Sequence, residues 1–202
     1  MLVTASATAA APLSQSEHRV RLATAMEKAV EQVARPATAM QRAWDGADVD
    51  GDGRADFANP TGHEPRAHDV YGDGEFGARR DGGSRRHEGV DYMARAGQEV
   101  DAPLSGYVTK IGYAYPGDPN LKFVEITNPA LNYAARVFYV NPTVQVGDAV
   151  AIGQPIGAAH SLQRKYPGGM TDHVHLELID RRGARIDATR MITANVTVAA
   201  AD

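Results

Sequence analysis

The sequence predicts a mainly β protein, an antiparallel sandwich or barrel-like sheet preceded by a short helical segment, and three observations carry that expectation. From Val90 onward the chain divides into short apolar stretches punctuated by Gly and Pro. No long 3.6-residue periodicity interrupts them, which argues against a layered α/β fold. Within Asp172-His-Val-His-Leu-Glu-Leu178, Val174, Leu176 and Leu178 alternate with His173, His175 and Glu177. That is the period of two of an extended strand, one face oily and the other carrying two imidazoles and a carboxylate.

Composition sets the limits. The 202 residues suffice for one ordinary domain plus an appendage, and 43% hydrophobic with 23% charged residues is a globular balance. A net charge of −4 argues against a partner dominated by phosphates, so no nucleic-acid partner is expected despite the run Arg79-Arg80 to Arg85-Arg86. There is no cysteine, so a disulfide framework and a thiolate metal site are both excluded. No apolar run reaches membrane-spanning length. The start lacks the basic leading segment and strong apolar core of a secretory signal, and it reads as a flexible leader.

In chain order, Ser16 to Ala34 reads as a helix. Ser14 or Ser16 caps it, and Val20, Ala23, Met26, Val30 and Val33 recur at helical steps. A second short helical piece is expected after Pro36, ending near Trp44. Next, Asp48, Asp50, Asp52 and Asp56 take the first, third, fifth and ninth positions of a calcium-loop pattern, with Gly53 at its sharp turn. The twelfth position is Asn59 instead of the usual bidentate Glu, so a calcium site and a solvated acidic turn both remain open. Residues 58–86 read as loops. The expected strands are 90–94, 98–102, 107–113, 122–127, 136–140, 148–152 and 173–179. The resulting organisation is a leader and helical segment (1–47), an acidic linker (48–69), a β domain (70–192) and a tail (193–202), with a monomer expected.

His173 and His175 share a strand face, and His87-Glu88-Gly89-Val90-Asp91 lies far upstream. Together the two clusters offer two imidazole nitrogens and a carboxylate oxygen, a set that suits zinc with one position left open for catalysis. Gly89 is expected to allow the tight turn that brings His87 and Asp91 to one ion.

Five segments now carry a resemblance. Phe76-Gly-Ala-Arg79, Arg86-His-Glu-Gly-Val-Asp91 and Val100-Asp-Ala-Pro-Leu-Ser-Gly106 resemble the opening of the lysostaphin/LytM-type zinc peptidases. Val146 to Gly157 and His173-Val-His175 resemble its closing half. The resemblance implies a β-sheet groove with zinc at its floor, acting on peptide bonds of bacterial peptidoglycan in the periplasm or outside the cell. It implies that His87, Asp91 and His175 hold zinc and that His173 is the catalytic imidazole. The family usually carries a further histidine in a Tyr-x-His-Leu segment, where this chain has Val137-Phe-Tyr-Val-Asn-Pro142. That variant looks closest to the leukocyte cell-derived chemotaxin branch. Tyr139 or Asn141 would occupy the vacated position, and a tyrosine there can donate a hydrogen bond to an oxyanion while being a poor base at neutral pH. His160 is a second stand-in. The sequence therefore leaves two readings, an active zinc endopeptidase or a catalytically weak, zinc-stabilised module that binds cell wall or a protein.

Overall fold

The computed structural model describes residues 43–195. In chain order its strands are β1 (Ala43–Gly46), β2 (His68–Asp69), β3 (Gly72–Asp73), β4 (Arg79–Arg80), β5 (Arg85–Arg86) and β6 (Val90–Met93). They continue with β7 (Glu99–Asp101), β8 (Gly106–Tyr115), β9 (Asp118–Asn128), β10 (Tyr133–Phe138) and β11 (Val140–Pro142). The last five are β12 (Ala149–Val150), β13 (Pro155–Ala159), β14 (His173–Ile179), β15 (Arg185–Ile186) and β16 (Ile192–Asn195). The only helical elements among the described residues are two short 3₁₀ turns, Asp81–Gly83 and Ala188–Arg190.

The main antiparallel sheet runs β12-β8-β9-β10-β14-β15, and β6 pairs with the first half of β14. A smaller sheet, β11-β13-β7, lies beside it. Val90, Val124, Ile126, Val137, Val174, Leu176 and Leu178 are buried in one apolar cluster between these layers. The β-branched and leucine side chains at alternate positions therefore do what the period of two predicts.

β14 lies next to the edge of this sheet, flanked by β10 on one side and by β6 then β15 on the other. Its polar face, which carries the two imidazoles and the carboxylate, could have faced solvent. Instead His173 is 4% and Glu177 6% exposed, because loops fold over that face and wall a cavity. Register fixes the site: His175 pairs with Asp91 on β6 and with Phe138 on β10.

Three departures from the sequence reading have physical causes. Of the second helical piece, expected to end near Trp44, only Ala43 and Trp44 lie among the described residues, and both stand in β1, which pairs Ala43–Gly46 with β16. Trp44 is held by a core contact, its ring edge-on to Tyr92 with centroids 6.1 Å apart, and tertiary packing overrides the local helical pattern. The expected helix 16–34 lies outside the described residues. The stretch 48–69 contributes Phe57, 1% exposed, to the core. β13 is absent from the expected strands, yet β11 and β7 pair with it on its two sides, the β7 pairing across a bulge between Pro155 and Gly157.

Candidate metal centre

His87 stands just before β6, Asp91 on β6, and His173 and His175 on β14. The His87 Nε2 and His175 Nδ1 atoms are 2.9 Å apart. Asp91 Oδ1 lies 2.9 Å from His175 Nδ1 and 3.1 Å from His87 Nε2. His173 Nε2 faces the same oxygen at 3.5 Å.

This triangle fits zinc. A tetrahedral ion with bonds of about 2.0–2.2 Å holds its ligands roughly 3.3–3.6 Å apart, so each side needs to open by only a few tenths of an ångström. The outer hydrogen bonds leave the required lone pairs free. His87 Nδ1–H donates to the Glu75 carbonyl at 2.7 Å, leaving Nε2 for a metal. His173 Nδ1–H donates to the Thr171 carbonyl at 2.6 Å, so its Nε2 lone pair faces the site. Behind His175, Glu177 Oε1 lies 3.8 Å from Nε2, which leaves Nδ1 toward the triad.

The local charges are set by competition. Burial pushes the Asp91 carboxyl up, but hydrogen bonds from His175 and His87 and the charge of His173 hold it well below the usual range. For His175, burial is outweighed by Asp91 and Glu177, which raise its pKa. For His173 burial wins over the Asp91 charge and lowers the pKa, so the ring is neutral at pH 7.

Two features differ from the sequence reading. Gly89 lies at a bend, as expected, but without a left-handed φ, and what demands glycine there is close packing. A Cβ there would meet the Leu176 carbonyl oxygen at 2.4 Å and the His175 ring at 2.7 Å. Arg66 escaped notice altogether. Its Nη2 donates to Asp91 Oδ2 at 2.8 Å, while Nη1 reaches Asp69 Oδ2 at 2.6 Å and the Gly72 carbonyl at 2.8 Å. The signal for it was weak, since Arg66 lies 25 residues from its partner in a stretch that reads as loop.

A cavity of about 310 Å³ opens over the triad, lined also by Arg80, Arg85, Tyr115, Tyr139 and Tyr166. Tyr139 sits at the position the resemblance expects to hold histidine. Its ring stands edge-on to His173, centroids 5.4 Å apart. His160 is not among the cavity's lining residues and bonds Asn141 Oδ1 through Nδ1 at 3.0 Å. Of the calcium-loop residues, Asp48, Asp50 and Asp52 bring carboxylate oxygens within 4.8 Å of one another, all exposed. Asp56 lies outside that group and accepts from Val49 N–H at 2.7 Å.

The model of peptidase family M23 matches residues 85–188, half of the chain, and covers every member of the triad. This chain belongs to peptidase family M23. The family is zinc-dependent, in keeping with the His/Asp/His set. The chain is 33% identical over 125 residues to chicken (Gallus gallus) myeloid protein 1, covering 61% of this chain and 37% of that protein. It is 32% identical over 124 residues to mouse (Mus musculus) leukocyte cell-derived chemotaxin-2, covering 61% of this chain and 78% of the mouse protein. The match thus spans little more than a third of the chicken relative's length. Lysostaphin from Staphylococcus simulans aligns at 20% identity and a TM-score of 0.46, over 66% of this chain and 53% of lysostaphin. Among the described residues no helix is long and apolar enough to cross a membrane.

Proposed function

We propose that this M23 chain is a zinc-dependent endopeptidase that hydrolyses peptide bonds of bacterial peptidoglycan, in the stem peptide or cross-bridge, and acts in the periplasm or outside the cell. The observation that carries the reading is the convergence of His87, Asp91 and His175 beside His173 at the floor of an open cavity. His87 Nε2, His175 Nδ1 and Asp91 Oδ1 would hold the ion. Zinc, when bound, lowers the pKa of a water toward ~7 and polarises a carbonyl. The neutral His173 Nε2 accepts the proton of the attacking water and returns it to the leaving amine. Tyr139 donates a hydrogen bond to the oxyanion that forms on the carbonyl. Arg80 and Arg85 on the cavity wall suit the carboxylates of a stem peptide. A calcium ion at Asp48, Asp50 and Asp52 is a separate proposal, tested below.

A second reading, a zinc-stabilised module that binds cell wall or a protein and cleaves weakly, is favoured by the tyrosine at the histidine position. The test is a zymogram on purified cell wall, with and without chelator, alongside zinc content. In the peptidase reading wild type clears the wall only with metal, His173→Ala keeps zinc but loses turnover, and His175→Ala loses both. Tyr139→Phe costs on the order of 10²-fold in rate. Wild type that holds stoichiometric zinc and clears no wall, from several bacterial classes, supports the binding module instead.

A further inference from the structure

Three tyrosines from separate parts of the chain join their hydroxyls at the cavity. Tyr115 ends β8, Tyr139 lies between β10 and β11, and Tyr166 lies in the loop before β14. The Tyr166 hydroxyl donates to that of Tyr115 at 2.8 Å, and the Tyr115 and Tyr139 hydroxyls are 2.7 Å apart.

Each ring is fixed from outside the chain of hydroxyls. Tyr139 has φ 66°, a left-handed backbone that is uncommon for a bulky residue. It is pinned there by Tyr139 N–H to the Lys122 carbonyl and by His160 N–H to the Tyr139 carbonyl, both at 2.7 Å. Such strain persists where surrounding bonds enforce it, and it is concentrated at functional sites. Tyr115 lies beneath Lys165 Nζ, 4.2 Å from the ring centroid, and that ammonium is 3.4 Å from Asp118 Oδ2. Tyr166 packs edge-on to Tyr71 with centroids 5.3 Å apart, and the Tyr71 hydroxyl donates to the Pro167 carbonyl at 3.0 Å.

The order of donation follows from the bonds. Tyr166 gives its proton to the Tyr115 oxygen, so the Tyr115 proton is free to go to Tyr139. The Tyr139 hydroxyl then accepts from Tyr115 and keeps its own proton for the cavity, beside His173. A hydroxyl that accepts a hydrogen bond becomes a better donor, by about 10–30% per bond in condensed phase. Burial raises the pKa of all three phenols, so the chain stays protonated through the neutral range.

We propose that Tyr115 and Tyr166 are positioning residues that act through Tyr139, aligning and polarising its hydroxyl as the oxyanion donor of the site. The proposal rests on the peptidase reading for the identity of the oxyanion. Two measurements on the zinc-loaded protein keep the two apart. The first is kcat and KM for peptidoglycan cleavage. The second is affinity for a phosphinic analogue of an Ala–Gly dipeptide, whose tetrahedral anion imitates the oxyanion without being cleaved.

Phenylalanine at any of the three positions keeps the ring and removes only the hydroxyl, so zinc content and Tm should stay at wild-type values. Tyr115→Phe should lower kcat roughly 5- to 10-fold with KM unchanged, and Tyr166→Phe about 2- to 3-fold, both short of the Tyr139→Phe loss. Phosphinate affinity should fall in the same order. In a Tyr139→Phe background Tyr115→Phe should add nothing, because its effect passes through the missing hydroxyl. Wild type that binds the phosphinate with this graded loss yet cleaves no wall would remove the peptidase reading and leave the hydrogen-bond chain standing. A wild-type Tyr115→Phe, an effect that survives in the Tyr139→Phe background, zinc or Tm lost with the hydroxyl, or a wild type that ignores the phosphinate would each overturn the proposal.

Discussion

Arg66 Nη2 sits 2.8 Å from Asp91 Oδ2, with both side chains 4% exposed. The carboxylate that faces His87 and His175 through Oδ1 is thus held from behind by a buried guanidinium through Oδ2. A planar, permanently charged fork bonded at once to Asp91, Asp69 and the Gly72 carbonyl fixes the carboxylate's rotation. Arg80 adds a second, longer contact to Oδ2 at 3.7 Å.

Removing the Arg66 fork should therefore be costly in two ways. Arg66→Leu leaves two buried carboxylates short of their partner, and unfolding experiments should show a loss of about 3–5 kcal/mol. Zinc affinity, measured by competition with a chelating dye, should fall roughly 10- to 100-fold, because an outer hydrogen bond that orients a ligand has been lost. Arg66→Lys should recover part of the stability and little of the affinity, since an ammonium cannot reproduce the fork. Unchanged zinc affinity in a folded Arg66→Leu protein would show that Asp91 is oriented by its own strand alone.

Asp101 on β7 makes stability depend on pH in an unusual sense. Its Oδ1 is buried without a hydrogen-bond partner, and burial followed by the nearby Glu99 charge pushes its pKa up to about 6. A carboxyl whose folded pKa is raised binds more protons folded than unfolded between the two values. Its contribution therefore destabilises above about pH 6 and fades as pH falls toward 4. Asp101→Asn removes the charge, so it should raise Tm at pH 8 and do much less at pH 4.5. An equal effect at both pH values would mean that the carboxylate is solvated in solution.

Much of this architecture can be read from residues alone, because its signals are local. The alternation in β14 places His173, His175 and Glu177 on one face, and the strand is found at 173–179 as expected. The other six expected strands each overlap an observed strand, with limits within four residues. What stayed hidden depends on contacts between distant segments. β1 and β16 form only because Ala43–Gly46 and Ile192–Asn195 meet. Arg66 has no meaning until the β2–β3 hairpin folds beside β6. The hydroxyl chain needs Tyr115, Tyr139 and Tyr166 brought together across up to 51 residues. Tyr139 alone was in view, through a departure from a family pattern.

The acidic turn gives a direct calcium test. Asp48 accepts from Gly51 N–H at 2.6 Å and Gly53 N–H at 2.8 Å, and Asp52 from Arg54 N–H at 2.8 Å. The bonds from Gly53 and Gly51 lower the Asp48 pKa, Gly53 the larger cause, and ease the repulsion that the three clustered carboxylates would otherwise bring. If calcium binds, titration calorimetry should give one site, lost in Asp50→Asn/Asp52→Asn, while Asp56→Asn should change affinity little because its carboxylate serves Val49. No heat and no shift in Tm on adding calcium would leave the segment a self-bonded acidic turn.

Gly89 offers the sharpest separation of packing from chemistry. Its Cα approaches β14 so closely that a methyl group would collide with the Leu176 carbonyl at 2.4 Å and with the His175 Cε1 and Nε2 atoms at 2.7 and 2.8 Å. The carbonyl belongs to a paired strand and cannot yield without disturbing the β6–β14 register, in which Leu176 faces Val90. The ring is the softer neighbour. Gly89→Ala should therefore tilt His175 away from His87 and Asp91 as well as straining the sheet. Overpacking of this kind costs about 1–3 kcal/mol, and the expected Tm loss should be accompanied by weaker zinc binding. His175→Ala in the same chain relieves the ring contact but not the carbonyl contact. If the ring carries most of the strain, adding Gly89→Ala to His175→Ala should cost clearly less stability than adding it to wild type. Equal costs in the two backgrounds would assign the strain to the Leu176 carbonyl, and full zinc affinity in Gly89→Ala would show that the His175 ring does not depend on the glycine.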